Sequence, residues 1–364
     1  MSLSADTTHM HHALRIAARG LGQVAPNPAV GCVIVSEDGL IVGRGWTQRG
    51  GRPHAETMAL AQAGEAALGA TAYVTLEPCA HHGETAPCVD ALIAACIARV
   101  VAAVTDPDPR VSGAGFAKLK TAGIEVTEGV CEEEARAANR GFFLRVTKGR
   151  PLVALKSAQS ADGFVTQTPG KRSWVTGERA RAHAHLLRAR YDAILVGIET
   201  ALADDPLLTC RLPGLEQRSP LRVVLDSQLR LTPHSRIAQT AREFPVIVFT
   251  AASEGGEDLA ALGVTIERIA GEGGRPALAP VLNRLAELGV TRLLVEGGPA
   301  VHAAFLDLKL VDEIHVYRAP QTIGEGHPAP TVFGAVELAA SPHISLVERL
   351  DLAPDILESY EVTG

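Results

Sequence analysis

The feature that most restricts how this chain can fold is a set of three metal-binding side chains spread along the sequence. His54 stands in His54-Ala55-Glu56; Cys79 and Cys88 bound the segment Pro78-Cys79-Ala80-His81-His82-Gly83-Glu84-Thr85-Ala86-Pro87-Cys88. One imidazole and two thiolates are three soft or borderline donors, and they leave a fourth tetrahedral zinc position for water. A fold that uses all three must bring a helix start and a later loop to one point. Zinc lowers the pKa of a water it binds. Glu56, two positions from His54, is spaced to reach such a water and not the metal, so it can carry a proton.

His-x-Glu followed by Pro-Cys and a second Cys is the zinc-deaminase pattern, here with eight residues between the cysteines where two are usual. Two plainer readings compete: a structural zinc with His81 or His82 as fourth ligand, and buried cysteines with no metal. Cys32, in a strand, and Cys96, on a helix, read as core residues; Cys131 and Cys210 read as incidental. His9, His11 and His12 look like a metal tract but read better as a solvated helix start. Asn27, between two prolines, is held extended, and its amide can read a pyrimidine edge or simply cap a turn.

A chain of 364 residues exceeds one ordinary core. Helices are expected near 9–19, 54–63, 88–98, 113–122 and 131–140, with strands near 30–35, 40–46, 72–76, 100–104 and 124–127. Residues 147–151, Thr-Lys-Gly-Arg-Pro, form a turn-rich boundary. The pattern then restarts, with strands near 153–156, 193–196, 223–225, 246–249, 264–269, 293–295 and 314–317 and helices near 178–189, 276–288 and 300–308. Both halves therefore belong to the α/β class. Expected domains are 1–147 and 150–364.

The net charge of −7 and aromatic content of 4% argue against a nucleic-acid partner, which needs a basic face and stacking rings. The first twenty residues lack a secretory h-region, and no run of about 18 apolar residues could span a membrane. With six sparse cysteines, a cytoplasmic setting is expected. A homo-oligomer is the expected assembly.

In the second half, Glu296-Gly297-Gly298-Pro299 ends a strand and opens a helix, where glycines let a phosphate approach backbone N–H groups. Residues 200–211 read as a long functional loop, and Lys156 and Asp162 as flanking a strand end. Gly20-Leu21-Gly22-Gln23-Val24-Ala25 matches a dinucleotide fingerprint as text but comes after a helix, so the motif is discarded.

Taken together the chain resembles the bifunctional riboflavin-biosynthesis deaminase/reductases along essentially its full length. The resemblance is carried by Asn27-Pro28-Ala29-Val30-Gly31, His54-Ala55-Glu56, Leu76-Glu77-Pro78-Cys79 with Pro87-Cys88, Ser160-Ala161-Asp162-Gly163, and Ser173-Trp174-Val175-Thr176-Gly177. Further matches are Asp204-Asp205-Pro206-Leu207-Leu208-Thr209-Cys210-Arg211, Leu225-Asp226-Ser227 and Glu296-Gly297-Gly298-Pro299. It implies an N-terminal cytidine-deaminase-like αβα domain and a C-terminal dihydrofolate-reductase-like α/β domain, with Zn2+ and NADPH as cofactors. The first would deaminate 2,5-diamino-6-ribosylamino-4(3H)-pyrimidinone 5′-phosphate; the second would reduce its ribosyl group to ribityl with NADPH. By matching positions, His54, Cys79 and Cys88 would hold zinc and Glu56 would shuttle the proton. Ala158, Trp174, Thr200, Asp204, Ser227 and Glu296-Gly297-Gly298-Pro299 would line the NADPH site. Asn27, Arg172, Arg188, Leu208, Arg211, Lys156 and Glu296 would meet the substrate, the arginines Arg188 and Arg211 through its phosphate.

The chain departs from the family pattern at Thr47 (usually His), Glu84 (usually basic), Ala86 (usually Pro) and Arg172 (usually Ser). A carboxylate at 84 near a phosphorylated substrate predicts weaker binding. The rival readings are a deaminase of another pyrimidine with a non-reducing second domain, and a zinc-stabilised nucleotide sensor without turnover.

Overall fold

The structure, a computed structural model, describes residues 3–81, 86–109, 111–166, 174–324, 326–329 and 333–363. The chain divides into two compact units, Met1–Gly149 and Arg150–Gly364.

In the first unit the elements run α1 (Leu3–Ala17), β1 (Gly31–Val35), β2 (Ile41–Trp46), α2 (Ala55–Ala63), β3 (Thr71–Val74), α3 (Cys88–Ala94), β4 (Arg99–Ala102), α4 (Ala114–Thr121), β5 (Glu125–Glu128), α5 (Glu132–Ala138) and α6 (Arg140–Lys148). The sheet order is β2-β1-β3-β4-β5. β1 runs antiparallel to β2 and β3, and β3, β4 and β5 run parallel. β1 and β3 are buried throughout, as apolar runs with little alternation predict for strands covered on both faces. Two glycines set the helix–sheet spacing. A Cβ on Gly31 would lie 2.0 Å from the Ala13 carbonyl oxygen of α1, and one on Gly45 would lie 2.0 Å from that of Ala55 at the start of α2. Here glycine serves close approach and not a turn. α2 is thereby laid tightly along β2, which places its N-terminus, and His54, at the end of the sheet.

Several expectations are corrected in this unit. α1 begins at Leu3, so His9, His11 and His12 lie within the helix and not at its start. α3 stops at Ala94, and Cys96 sits beyond it, exposed and at φ 53, so it is not a core residue. The helix α6 occupies residues that end in the expected boundary.

The second unit contains β6 (Leu152–Gln159), β7 (Phe164–Thr166), α7 (Glu178–Arg188), β8 (Ala193–Gly197), α8 (Ile198–Asp204), β9 (Leu221–Leu225), α9 (Arg236–Gln239), β10 (Val246–Thr250), α10 (Glu257–Ala261) and β11 (Thr265–Arg268). It continues with α11 (Leu278–Glu287), β12 (Arg292–Val295), α12 (Pro299–Asp307), β13 (Glu313–Arg318), β14 (His327–Pro328), α13 (Ala335–Ala340), β15 (Ile344–Leu352) and β16 (Asp355–Val362). A nine-stranded sheet has the order β11-β10-β9-β8-β12-β6-β13-β16-β15. Its first seven strands are parallel; β16 runs antiparallel to β13, and β15 antiparallel to β16. Residues from 200 were expected as a loop, yet α8 runs to Asp204, and the irregular stretch begins only at Asp205. Lys156 lies inside β6 and not at its end. The carboxyl ends of β6, β8, β9 and β12 open onto one crevice, where parallel α/β sheets bind ligands.

Candidate active sites

In the first unit, two helix starts converge. His54 occupies the N-cap of α2 with extended backbone, and Glu56 falls in the first turn. Pro87 is the N-cap of α3 and Cys88 its first residue. Cys79 comes from the loop after β3. His54 Nδ1 lies 3.7 Å from Cys79 Sγ and 3.3 Å from Cys88 Sγ, and the Cys88 N–H donates to Cys79 Sγ at 3.3 Å. All three donor atoms fall within 4.8 Å of one another. Among the described residues no fourth His, Cys, Asp or Glu joins them; His82, one of the two fourth ligands considered, lies outside the described residues, as does Glu84. Helix N-termini favour thiolates. The Cys88 thiol hydrogen-bonds to Cys79, bringing Cys79 down to about 4 and pushing Cys88 up.

Glu56 is 3% exposed, and its Oε2 has no hydrogen-bond partner. Burial raises its carboxyl above the usual range. An unpaired buried carboxylate oxygen is costly, so its position calls for a polar partner delivered at this point. The donor set and this orphaned oxygen together fit a zinc ion with an open position.

The surrounding loops are held by residues whose roles the sequence did not disclose. Asn139 clamps Ala29: Oδ1 accepts its N–H at 2.9 Å and Nδ2 donates to its carbonyl at 3.1 Å. Asn27 Nδ2 donates to the Gly51 carbonyl at 3.1 Å. The Thr47 hydroxyl accepts the Val30 N–H at 3.0 Å, so a side chain that departs from the family pattern has a backbone partner of its own. Glu77, buried, accepts from Asp106, Gly113 and Gly115 backbone N–H groups and fixes the loop after β4.

In the second unit a cleft of about 1060 Å³ gathers Lys156, Ala158, Trp174, Arg188, Thr200, Asp204, Leu208, Arg211, Ser227, Glu296, Gly297, Gly298 and Pro299. Of the residues expected there, Arg172 lies outside the described residues. At its centre is a buried charge cluster. Arg188 grips Glu296 with a two-point fork, Nε to Oε1 at 2.8 Å and Nη2 to Oε2 at 2.9 Å, while its Nη1 donates to the Thr209 carbonyl at 3.2 Å. Lys156 Nζ approaches Glu296 Oε2 at 3.8 Å and lies 5.5 Å above the Tyr317 ring. Burial works to raise the Glu296 carboxyl, but the Arg188 and Lys156 cations outweigh it and hold it at about 2. Burial pulls the Lys156 amine below its usual range. Arg188, expected to be open for a phosphate, therefore has its fork engaged by Glu296. Arg211 lines the same cleft.

The glycine turn also has a packing cause. A Cβ on Gly297 would lie 2.9 Å from Val301 Cβ, and one on Gly197 would lie 2.7 Å from Val301 Cγ2. Both glycines let α12 close on the ends of β8 and β12. Gly298 caps α12 and Pro299 is its first residue, where a missing N–H costs nothing. The cleft also contains His185, Arg181 and His302, which sequence motifs did not flag.

Comparison with known proteins agrees with this geometry. The cytidine and deoxycytidylate deaminase zinc-binding region matches residues 3–104, and the RibD C-terminal domain matches 151–357. The riboflavin biosynthesis protein RibD of Aquifex aeolicus is 45% identical over 322 residues, covering 88% of each chain. The chain belongs to the RibD family. The solved RibD of Acinetobacter baumannii superposes over 100% of both chains with a TM-score of 0.88 at 38% identity. A Thermotoga maritima diaminohydroxyphosphoribosylaminopyrimidine deaminase/5-amino-6-(5-phosphoribosylamino)uracil reductase does so with a TM-score of 0.86 at 35% identity. The RibD chain described here is thus a bifunctional enzyme of riboflavin biosynthesis, with a cytidine-deaminase-like zinc region and a reductase region, using Zn2+ and NADPH. The rival readings, a non-reducing second domain or a sensor without turnover, fall away. No helix among the described residues is long and apolar enough to cross a membrane.

Proposed function

We propose that the first unit deaminates the diaminopyrimidine ribotide named for the Thermotoga maritima relative, with His54, Cys79 and Cys88 as zinc ligands and Glu56 as proton carrier. The second unit reduces the aminouracil product. The observation that carries the first part is Glu56 itself: a buried carboxylate with an unpaired oxygen beside a three-donor set. When bound there, zinc supplies a water acidic enough to yield its proton near neutral pH. Glu56 is placed to take that proton and return it, first to the ring nitrogen and then to the leaving amine. Asn27 and the clamp of Asn139 on Ala29 set the shape of the pyrimidine end of the site.

In the second unit Ala158, Trp174, Thr200, Asp204, Ser227 and the Glu296–Pro299 turn line the cofactor side of the cleft. Lys156, Arg188, Leu208, Arg211 and Glu296 form the substrate side, and Arg172 is the remaining residue expected to meet the substrate. When bound, NADPH would supply hydride to C1′ of the ring-opened, imine-like form. Lys156, its amine eased toward neutrality by burial, is the group placed to deliver the balancing proton to the imine nitrogen, and Arg211 to receive the phosphate while Arg188 holds Glu296. Free thiols at all six cysteines support a reducing, cytoplasmic setting. A homo-oligomer is the assembly we infer, and sedimentation of the purified chain checks it. Ammonia release and NADPH consumption, recorded separately on the zinc-loaded protein, test the assignment. Both activities are expected, with Glu56→Ala abolishing ammonia release alone; NADPH oxidation on the aminouracil without any ammonia release in the parent would overturn the deaminase assignment.

A further inference from the structure

The histidine tract of α1 finds partners in the fold. His9 packs against Tyr73, with ring centroids 5.0 Å apart and the rings tilted by 40°. His11 instead faces the start of α5, where Cys131 is the N-cap residue and Glu134 lies in the first turn. His11 Nε2 is 3.6 Å from Glu134 Oε1. The His11, Cys131 and Glu134 donor atoms all lie within 4.8 Å of one another.

We propose that His11, Cys131 and Glu134 form a second zinc site, outside the deaminase centre, that ties α1 to the start of α5. The donor types choose the ion. A thiolate and an imidazole beside one carboxylate suit zinc, whereas magnesium and calcium take oxygen donors. Three protein ligands from two elements leave the fourth position to solvent water, which the surface location provides: the His11 and Glu134 side chains are 45% and 57% exposed. Of the three carboxylates in the first turn of α5, Glu134 is a ligand and Glu132 is paired with Arg136 at 2.7 Å. Binding releases the Cys131 thiol proton to solvent. The competing description is a His11–Glu134 ion pair, which at this exposure contributes little and gives Cys131 no part.

The test is a cobalt titration of the full-length apoprotein, read by thiolate-to-metal and d–d absorption, with zinc content measured in parallel. The expected result is a first equivalent with the spectrum of a two-thiolate site, then a second with a weaker one-thiolate band. Cys131→Ser and His11→Ala should each remove the second equivalent and keep the first. Should Cys131→Ser fail to fold, His11→Ala, at a half-buried helical position, decides alone. Saturation of the parent at one equivalent, or a second equivalent that survives His11→Ala, overturns the proposal.

Discussion

At the scale of single residues, chemistry was legible wherever it resides in residue type and short spacing. His54, Glu56, Cys79 and Cys88 stand out as donor types at short spacing, the first two and Cys88 at helix starts and Cys79 in the loop after β3. Partnerships across long sequence separations were not legible. Arg188 looks like a phosphate ligand in the sequence, but its fork is engaged by Glu296, 108 positions away. Asn139 looks like an ordinary helix-end residue, yet it clamps Ala29 from 110 positions away. Arg188→Lys tests the Glu296 clamp directly. A single ammonium cannot match both carboxylate oxygens and the Thr209 carbonyl, so Glu296 loses its fixed orientation. The expected loss is about 1.5–3 kcal/mol, roughly 10–100-fold in kcat/KM for NADPH oxidation on the aminouracil ribotide, with ammonia release unchanged.

At the scale of elements, the buried parallel strands were readable as apolar runs, and the surface elements were not. β15 is largely exposed along its length, and its apolar positions are split by a bulge between Leu346 and Glu348: Ile344 packs on one buried cluster, Leu350 and Leu352 on another, so no single apolar stripe marks it as a strand. α8 was hidden by the acidic, proline-containing segment at its C-terminal end. Gly45 shows how a strand can be set by one missing side chain. A Cβ there would collide with the Ala55 carbonyl at 2.0 Å, one residue from His54. Gly45→Ala should cost about 1–3 kcal/mol or more and lower zinc retention, both measurable by thermal unfolding and metal analysis. Arg222 is the counterpart in the second unit. It is wholly buried in β9, and its guanidinium donates to the Leu207 carbonyl at 3.1 Å, to Thr240 Oγ1 at 2.8 Å and to the Thr240 and Phe244 carbonyls. It thereby ties the loop bearing Leu208 and Arg211 to the turn before β10. Arg222→Met leaves these acceptors unpaired. A destabilisation of about 3 kcal/mol or more is expected, together with a raised KM for the aminouracil ribotide because the loop loses its anchor.

At the scale of the whole molecule, each unit closes on apolar clusters of its own, and the break at Gly149–Arg150 falls in the segment expected as a boundary, although α6 continues to Lys148 within it. Separate cores predict separable responses to ligand and to pH. Ligands that bind only folded protein raise the unfolding temperature of the unit that holds them, so zinc and NADPH should each mark one calorimetric transition. The NADPH-marked transition should also carry an acid sensitivity of its own, through His302, distinct from the loss of zinc as its ligands protonate in the other unit. That ring is 3% exposed, packs on Phe333 with centroids 5.4 Å apart, and its Nε2 faces the Val295 carbonyl at 3.3 Å. Burial pulls its pKa down from 6.5 to about 4. Between these values the unfolded chain binds a proton that the folded unit refuses, so stability falls as pH drops from about 6.5 toward 4. It is fully present above 6.5. The shift corresponds to about 3 kcal/mol. His185, in the same cleft and pulled to about 4 chiefly by burial, acts with the same sign. His302→Gln keeps a donor for Val295 but cannot titrate, and it should flatten the pH slope of the NADPH-marked transition while leaving the zinc-marked one unchanged. An unchanged slope in that variant would show that the acid sensitivity resides in other groups.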